Sequence, residues 1–408
     1  MQRKGIGIIC SYFANRHLKR HVDHLEAGGR IVLLIMNKDL QTINLHALRG
    51  VASVFVLVFH AKFIMWCGGQ EWLKVHGFQS AVDYVLFAVD MLLSAGHQWV
   101  IVFFMLSGFV ISHSNNENKY SIKNYLAIRF IRLYLPYIAS VAYGILVLLV
   151  CVRYVNPDIL QVMGREYNER LAVANDNITL PSFFSTLYFV PRPEYMGLNF
   201  AYWSLLHESI FYLLFPLYRV TGQWRPAVLC LVIVLAATTH TDLIYYQMYF
   251  LMGMLVYDHR FRKLPIISGV KFSMAATVVL YLGIIAFLKY FNNSVAADLC
   301  GALMTYFLMT ALLRSKKMDQ RWYRVGDVSY TLYLFHLPTL LLIYTFYTVV
   351  TNEYVIIDRI YYYLSTLVCF ALAFPAFRIM EEPSLRLIKK YKQLVFAPAS
   401  EKLSSPNR

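Results

Sequence analysis

Apolar stretches of about 20 residues recur along most of the chain, each long enough to cross the hydrocarbon core of a bilayer. Ten such spans begin near Leu48, Gln98, Tyr137, Tyr202, Pro226, Leu243, Gly269, Ala296, Ser329 and Tyr361. A soluble core of this size would show polar faces between apolar stripes. Here only 15% of the 408 residues are charged, against about 25% in an ordinary soluble domain. The expected fold is an all-α polytopic membrane helix bundle of about ten transmembrane helices. The segment from Trp72 to Gly96 carries Asp83 and Asp90 in an amphipathic pattern and reads as a helix lying on the membrane surface, the alternative being an eleventh span.

Loop charges set the expected orientation. Lys119, Lys123, Arg129 and Arg132 follow the second span, Arg219 and Arg225 the fourth, and Arg260, Arg262 and Lys263 the sixth. Arg314, Lys316, Lys317, Arg321 and Arg324 follow the eighth, and Arg386, Lys389, Lys390 and Lys392 the tenth. With ten spans all of these fall on one side, while the long loop 153–200 on the other side is charge-balanced. The positive-inside rule then places both termini in the cytoplasm. The net charge of +15 is thus topological, and no basic stripe with interleaved aromatics marks a nucleic-acid binder. Six scattered cysteines without a CxxC pair read as small buried hydrophobes, not as a metal site.

Residues 1–35 are basic and lack both helical periodicity and the apolar core of a signal peptide. They read as an extension that is non-native, with Met36 the true start, or disordered. Residues 36–390 form the expected membrane domain and 391–408 a cytoplasmic tail.

Polar groups inside a bilayer are costly, so each is a candidate site. Arg49 and His60 are eleven residues apart in the first span, about three helical turns, and share a face. The axial gap is about 16 Å, which sets Arg49 near the cytoplasmic boundary and His60 deeper. His60 suits a general base, or a structural histidine bonded between helices. Ser107-Gly108 marks either close helix packing or a site lining. Arg129 and Arg132, on an amphipathic segment ending at Pro136, either anchor the chain at the surface or hold phosphates. Glu208 sits about two turns into its span and needs a partner, with histidine or arginine the natural choice. Tyr330, Tyr333 and His336 follow Ser329, and Trp203 opens the fourth span. Glu381, near Arg378, reads as a topology anchor.

Six pieces occur in order over residues 44–385: Leu48-Arg49-Gly50 with His60; Phe103 to Phe109; Arg129-Phe130-Ile131-Arg132-Leu133-Tyr134-Leu135-Pro136; Trp203 to Glu208 with Phe211-Tyr212; Ser329 to His336; and Glu381-Glu382-Pro383. In these the chain resembles the bacterial acyltransferase 3 family of membrane-bound O-acyltransferases. The resemblance implies an inner-membrane enzyme moving an acyl group, usually acetyl from acetyl-CoA, to a sugar hydroxyl of a glycan or lipid-linked saccharide, with no metal. It implies that Arg49 and His60 are the family's paired arginine and histidine, the histidine catalytic. It links Arg129 and Arg132 with activity or donor binding and makes Glu208 the glutamate of the Trp-Ser-Leu motif. Ser107 is a further candidate for the donor site, and Trp203, Tyr330 and His336 for supporting roles. His46 stands where many members carry an acidic residue or glutamine, and His207 where a small or hydrophobic residue is usual. The chain reads as the membrane-only type. A transporter or glycan-export protein, or an acyltransferase using succinyl-CoA or a small-molecule acceptor, is the alternative.

Overall fold

A computed structural model of the protein describes residues 42–118, 120–154, 179–189, 199–261, 269–316 and 318–396. Residues 1–35, the tail beyond 396 and most of loop 153–200 lie outside the described residues. No strand occurs among the described residues. The helices are α1 (Thr42–Met65), α2 (Gly69–Val75), α3 (Ala81–Leu92), α4 (Gly96–Asn118), α5 (Ile122–Tyr154), α6 (Leu180–Leu187) and α7 (Trp203–Val220). Then come α8 (Arg225–Thr239), a helical turn at Asp242–Tyr245, α9 (Gln247–Phe261), α10 (Val270–Lys289), α11 (Ser294–Leu312) and α12 (Gln320–Asp327). The last three are α13 (Ser329–Thr351), α14 (Ile360–Met380) and α15 (Glu382–Phe396), which runs across residue 390.

Each expected span has its helix. Eight stretches among the described residues are long and apolar enough to cross a membrane, so this is an all-α polytopic bundle. The two helices below that standard are α7 and α9, which carry His207, Glu208 and Arg219, and Asp258 and His259, within 18 and 15 residues. The bundle has a near face, where α1 begins, and a far face, where it ends. Contacts to α1 fix which ends of the other helices share each face. Asn44 Nδ2 donates to the Leu312 and Lys316 carbonyls on the near side. Trp66 Nε1 donates to the Ile357 carbonyl on the far side.

Helix α3 spans only 12 residues, about 18 Å of helix, and is too short to cross a core of about 30 Å. It exposes Val82, Tyr84, Val85 and Val89 while burying Asp90, the pattern of a surface-lying helix. Ser80 and Asp83 close its start as a reciprocal capping box. Asp90 Oδ1 accepts from the Tyr362 and Tyr363 hydroxyls, and its Oδ2 lies 3.5 Å from Arg359 Nη1.

Prolines placed inside helices free carbonyls that neighbouring helices then use. Pro136 does not end the segment carrying Arg129 and Arg132, as its position suggests; it lies inside α5. Next to the carbonyl it orphans, that of Leu133 accepts the Tyr330 hydroxyl at 2.9 Å. Pro338 likewise removes the amide that would bond the Leu334 carbonyl. That oxygen instead accepts from Ser140 Oγ at 2.7 Å and Asn199 Nδ2 at 2.6 Å. The break in α13 therefore locks it to α5 and to the start of the α7 segment, two residues before His336.

Glycine supplies the closest helix approach. A Cβ at Gly108 of α4 would overlap the Phe250 carbonyl, and one at Gly253 of α9 would overlap the Met105 carbonyl. The two backbones pack directly against each other there. This brings Ser107, one residue earlier, to the edge of an internal cleft.

Candidate active site

The cleft encloses about 850 Å³ including its open mouth and lies between α1, α4, α5, α7 and α13. Its polar lining is Arg49, Ser107, Arg129, Arg132, Ser204, Glu208, Tyr212, Ser329, Tyr330 and Tyr333; Phe103, Phe104, Leu106 and Val110 are among its apolar walls. Six sequence candidates from four helices and the Ser-Gly segment thus meet in one space: Arg49, Ser107, Arg129, Arg132, Glu208 and Tyr330. Three candidates, His60, His336 and Trp203, lie outside its lining.

Glu208 takes two hydroxyls as partners. Ser107 Oγ donates to its Oε1 at 2.9 Å, and the Tyr212 hydroxyl donates to the same oxygen. Tyr212 is one helical turn from Glu208, so α7 supplies this contact locally. The histidine or arginine partner expected for this carboxylate is replaced by these hydroxyls.

The arginines are held separately. Arg129 lies over the rings of Tyr125 and Tyr212, at 5.7 and 5.8 Å. Arg132 Nη2 is 3.5 Å from Glu381 Oε1. Glu381, 1% exposed, uses its other oxygen to accept from the Thr331 amide and hydroxyl at 3.2 and 2.9 Å. It therefore ties α5 to the start of α13, and its sequence reading as an anchor beside Arg378 is corrected: Arg378 is exposed. Arg49 Nη2 donates to the Gly326 carbonyl at 2.9 Å, while its buried Nε has no hydrogen-bond partner.

A second cleft opens beside the first on the near side, lined by His46, Ser114, Asp327, Phe377 and Glu381. Arg49, Arg129 and Arg132 line both clefts and form the wall between them. His46, unusual at its position, sits 3.0 Å from Asp327 Oδ1, so an acid is present there on α12.

Towards the far face, His60 Nδ1 lies 3.0 Å from His336 Nε2. His336 Nδ1 lies 3.0 Å from the Leu332 carbonyl, which can only accept. A neutral His336 therefore carries its proton on Nδ1 and accepts at Nε2. His60 must then donate from Nδ1, which leaves the lone pair of its own Nε2 as the basic position. The Phe59 and Phe200 rings flank His60 at 5.3 and 5.4 Å. Tyr333 links this pair to the cleft: its hydroxyl shares a hydrogen bond with Ser204, and its ring centroid lies 5.9 Å from that of His336. Trp203 stacks instead on His97, 5.2 Å between centroids.

A family model described as an acyltransferase domain matches residues 42–357. The chain belongs to the acyltransferase 3 family. It is therefore a multi-pass membrane acyltransferase. Comparisons with curated proteins and with solved structures find no match.

Sequence spacing alone did not pair the residues of this acyltransferase. The His60–His336 contact joins positions 276 apart. Tyr212 and Tyr333 belong to the recognised motifs, but only the fold shows that both touch the cleft. Among the described residues no cluster of three or more His, Cys, Asp or Glu side chains is arranged to hold a metal.

Proposed function

We propose that this acyltransferase takes an acetyl group from acetyl-CoA and esterifies a sugar hydroxyl of a surface or exported polysaccharide. On this reading both termini are cytoplasmic in a bacterial inner membrane. Donor enters at the near face and acceptor at the far face. One observation carries the reading: Tyr333, which lines the cleft walled by Arg49, Arg129 and Arg132, packs its ring 5.9 Å from that of His336, the partner of His60.

Acetyl-CoA is the substrate whose shape suits that path. Its phosphates require cations, its pantetheine arm is narrow and largely neutral, and its thioester is at the far end. Arg129 and Arg132 hold phosphate oxygens; the unsatisfied Arg49 Nε–H meets an acceptor atom farther along the donor. The acceptor hydroxyl loses its proton to His60 Nε2 as its oxygen attacks the thioester carbon. The carbon–sulfur bond breaks, and the departing sulfur takes that proton from the imidazolium. The products are the acetyl ester and free CoA thiol. Holding donor and acceptor in line supplies a large share of the acceleration. Glu208, with its two hydroxyl donors, shapes the cleft wall between the cations and the histidines.

Radiolabelled acetyl-CoA supplied to membranes containing the chain tests this directly. Label appearing in glycan as a base-labile ester is the expected result. Glycan export altered with acetylation unchanged would overturn the reading, and label transfer from succinyl-CoA alone would reassign the donor.

A further inference from the structure

Helix α15 lies 25 residues beyond the matched segment and packs along the first turns of α5. The Tyr391 hydroxyl donates to Asn124 Oδ1 at 3.0 Å and pins it there. The next residue, Lys392, is half-buried, with its Nζ 5.4 Å from the centroid of the Tyr120 ring. Arg129 and Arg132 are both within electrostatic reach of it.

No ion pair is made by Lys392 or Arg129 among the described residues, and the carboxylate on Arg132 is also committed to Thr331. Like charges held together on a partly buried face repel, and each loses some hydration. A bound anion relieves both costs. Arg129 and Arg132 line both clefts, whereas Lys392 lines neither. A nucleotide carries separated phosphate groups, so one can sit at the arginines while another meets Lys392.

We propose that Lys392 is the outermost member of an anion site with Arg129 and Arg132, and that it binds a phosphate at the nucleotide end of the acyl donor. This rests on the acyl-CoA reading above. Lys392 would set donor affinity and take no part in the chemistry at the thioester. Anionic lipid headgroups offer the same phosphate chemistry, so the test separates the two sources.

CoA binding to the purified full chain is measured by calorimetry in phosphatidylcholine nanodiscs, for wild type, K392A and K392R. The expected result is a roughly tenfold weaker Kd for K392A, as for loss of one charge-assisted hydrogen bond, with K392R close to wild type. The KM for acetyl-CoA should rise in parallel with kcat little changed, while the KM for acetyl-pantetheine, which lacks the nucleotide, stays put. Unchanged CoA binding in K392A at an unchanged melting temperature overturns the proposal. An equal loss with acetyl-pantetheine overturns it, as does an effect confined to nanodiscs containing phosphatidylglycerol. If wild type binds CoA through Lys392 but labels no glycan, the transfer reading fails and the anion site stands.

Discussion

His336 Nε2 sits 3.0 Å from His60 Nδ1, and the Leu332 carbonyl on the opposite side of the His336 ring fixes which nitrogen of each ring holds the proton. His336 is 1% exposed and cannot reorient without breaking α13 packing. On the proposed mechanism His336 is a positioning residue: it holds the tautomer of His60 that leaves Nε2 unprotonated.

His60→Ala should abolish transfer. His336→Phe keeps the ring volume and removes the acceptor, and should lower kcat by about 10²-fold or more with donor KM unchanged, the range for loss of an aligned general base. Steady-state kinetics on purified protein decide it. A His336→Phe enzyme with wild-type kcat would show that the histidine pair is only packing.

Glu208 is held by hydroxyls from two helices, so Ser107→Ala and Tyr212→Phe remove different bonds to one oxygen. Each single change should cost about 1 kcal/mol of stability. The double variant should cost less than their sum if Glu208 re-solvates once freed, and chemical unfolding of the four proteins in detergent measures that coupling. Strict additivity would mean that the carboxylate does not join α4 to α7.

The close approach of α4 and α9 predicts a contrast between glycines. Gly108→Ala drives a methyl into the Phe250 carbonyl and should cost about 1–3 kcal/mol or prevent assembly. Gly269→Ala has open space around it and a φ of −71°, and should leave the melting temperature unchanged. Thermal unfolding of the two variants side by side makes the comparison.

What the sequence made legible follows from what its patterns encode. Apolar run length specified the helices at eight of the ten spans, with α7 and α9 below that standard, and eleven-residue spacing put Arg49 and His60 on one side of α1. Ser107-Gly108 carried both of its readings at once: the glycine packs on α9 and the serine lines the cleft. Periodicity does not say which helix lies opposite, and so the partners of Glu208, Glu381 and His60 stayed hidden. Glu381 is the clearest case. Its nearest cation in sequence is Arg378, yet it is bound to Arg132 on α5 and Thr331 on α13. Pro136 misled for a related reason, since inside a bundle a neighbouring side chain serves the carbonyl region that a proline opens.

Arg225 and Asp258 form an ion pair, both side chains 4% exposed, that joins α8 to α9. Removing either partner strands a buried charge and should cost about 3–5 kcal/mol. Replacing both together, as Arg225→Met with Asp258→Leu, should recover most of that loss. Expression level and melting temperature of the three variants test it, and a double variant as unstable as the worse single one would show that the pair's shape, not its charge, is required.

Arg49 separates fold from function within a single side chain. Its Nη2 is spent on the Gly326 carbonyl, a bond that holds α1 against the end of α12 where Gly50 and Gly326 allow close contact. Its Nε–H, buried between the two clefts, has no protein partner and is available to a ligand. Lysine can reach a carbonyl as a point charge but has no Nε–H and no planar fork. Arg49→Lys should therefore keep the melting temperature close to wild type while weakening donor use by roughly tenfold or more in kcat/KM. Arg49→Ala should lose both. If the lysine variant matched wild type in kinetics, the orphaned Nε–H would have no role in holding the donor, and Arg49 would serve only to tether α1.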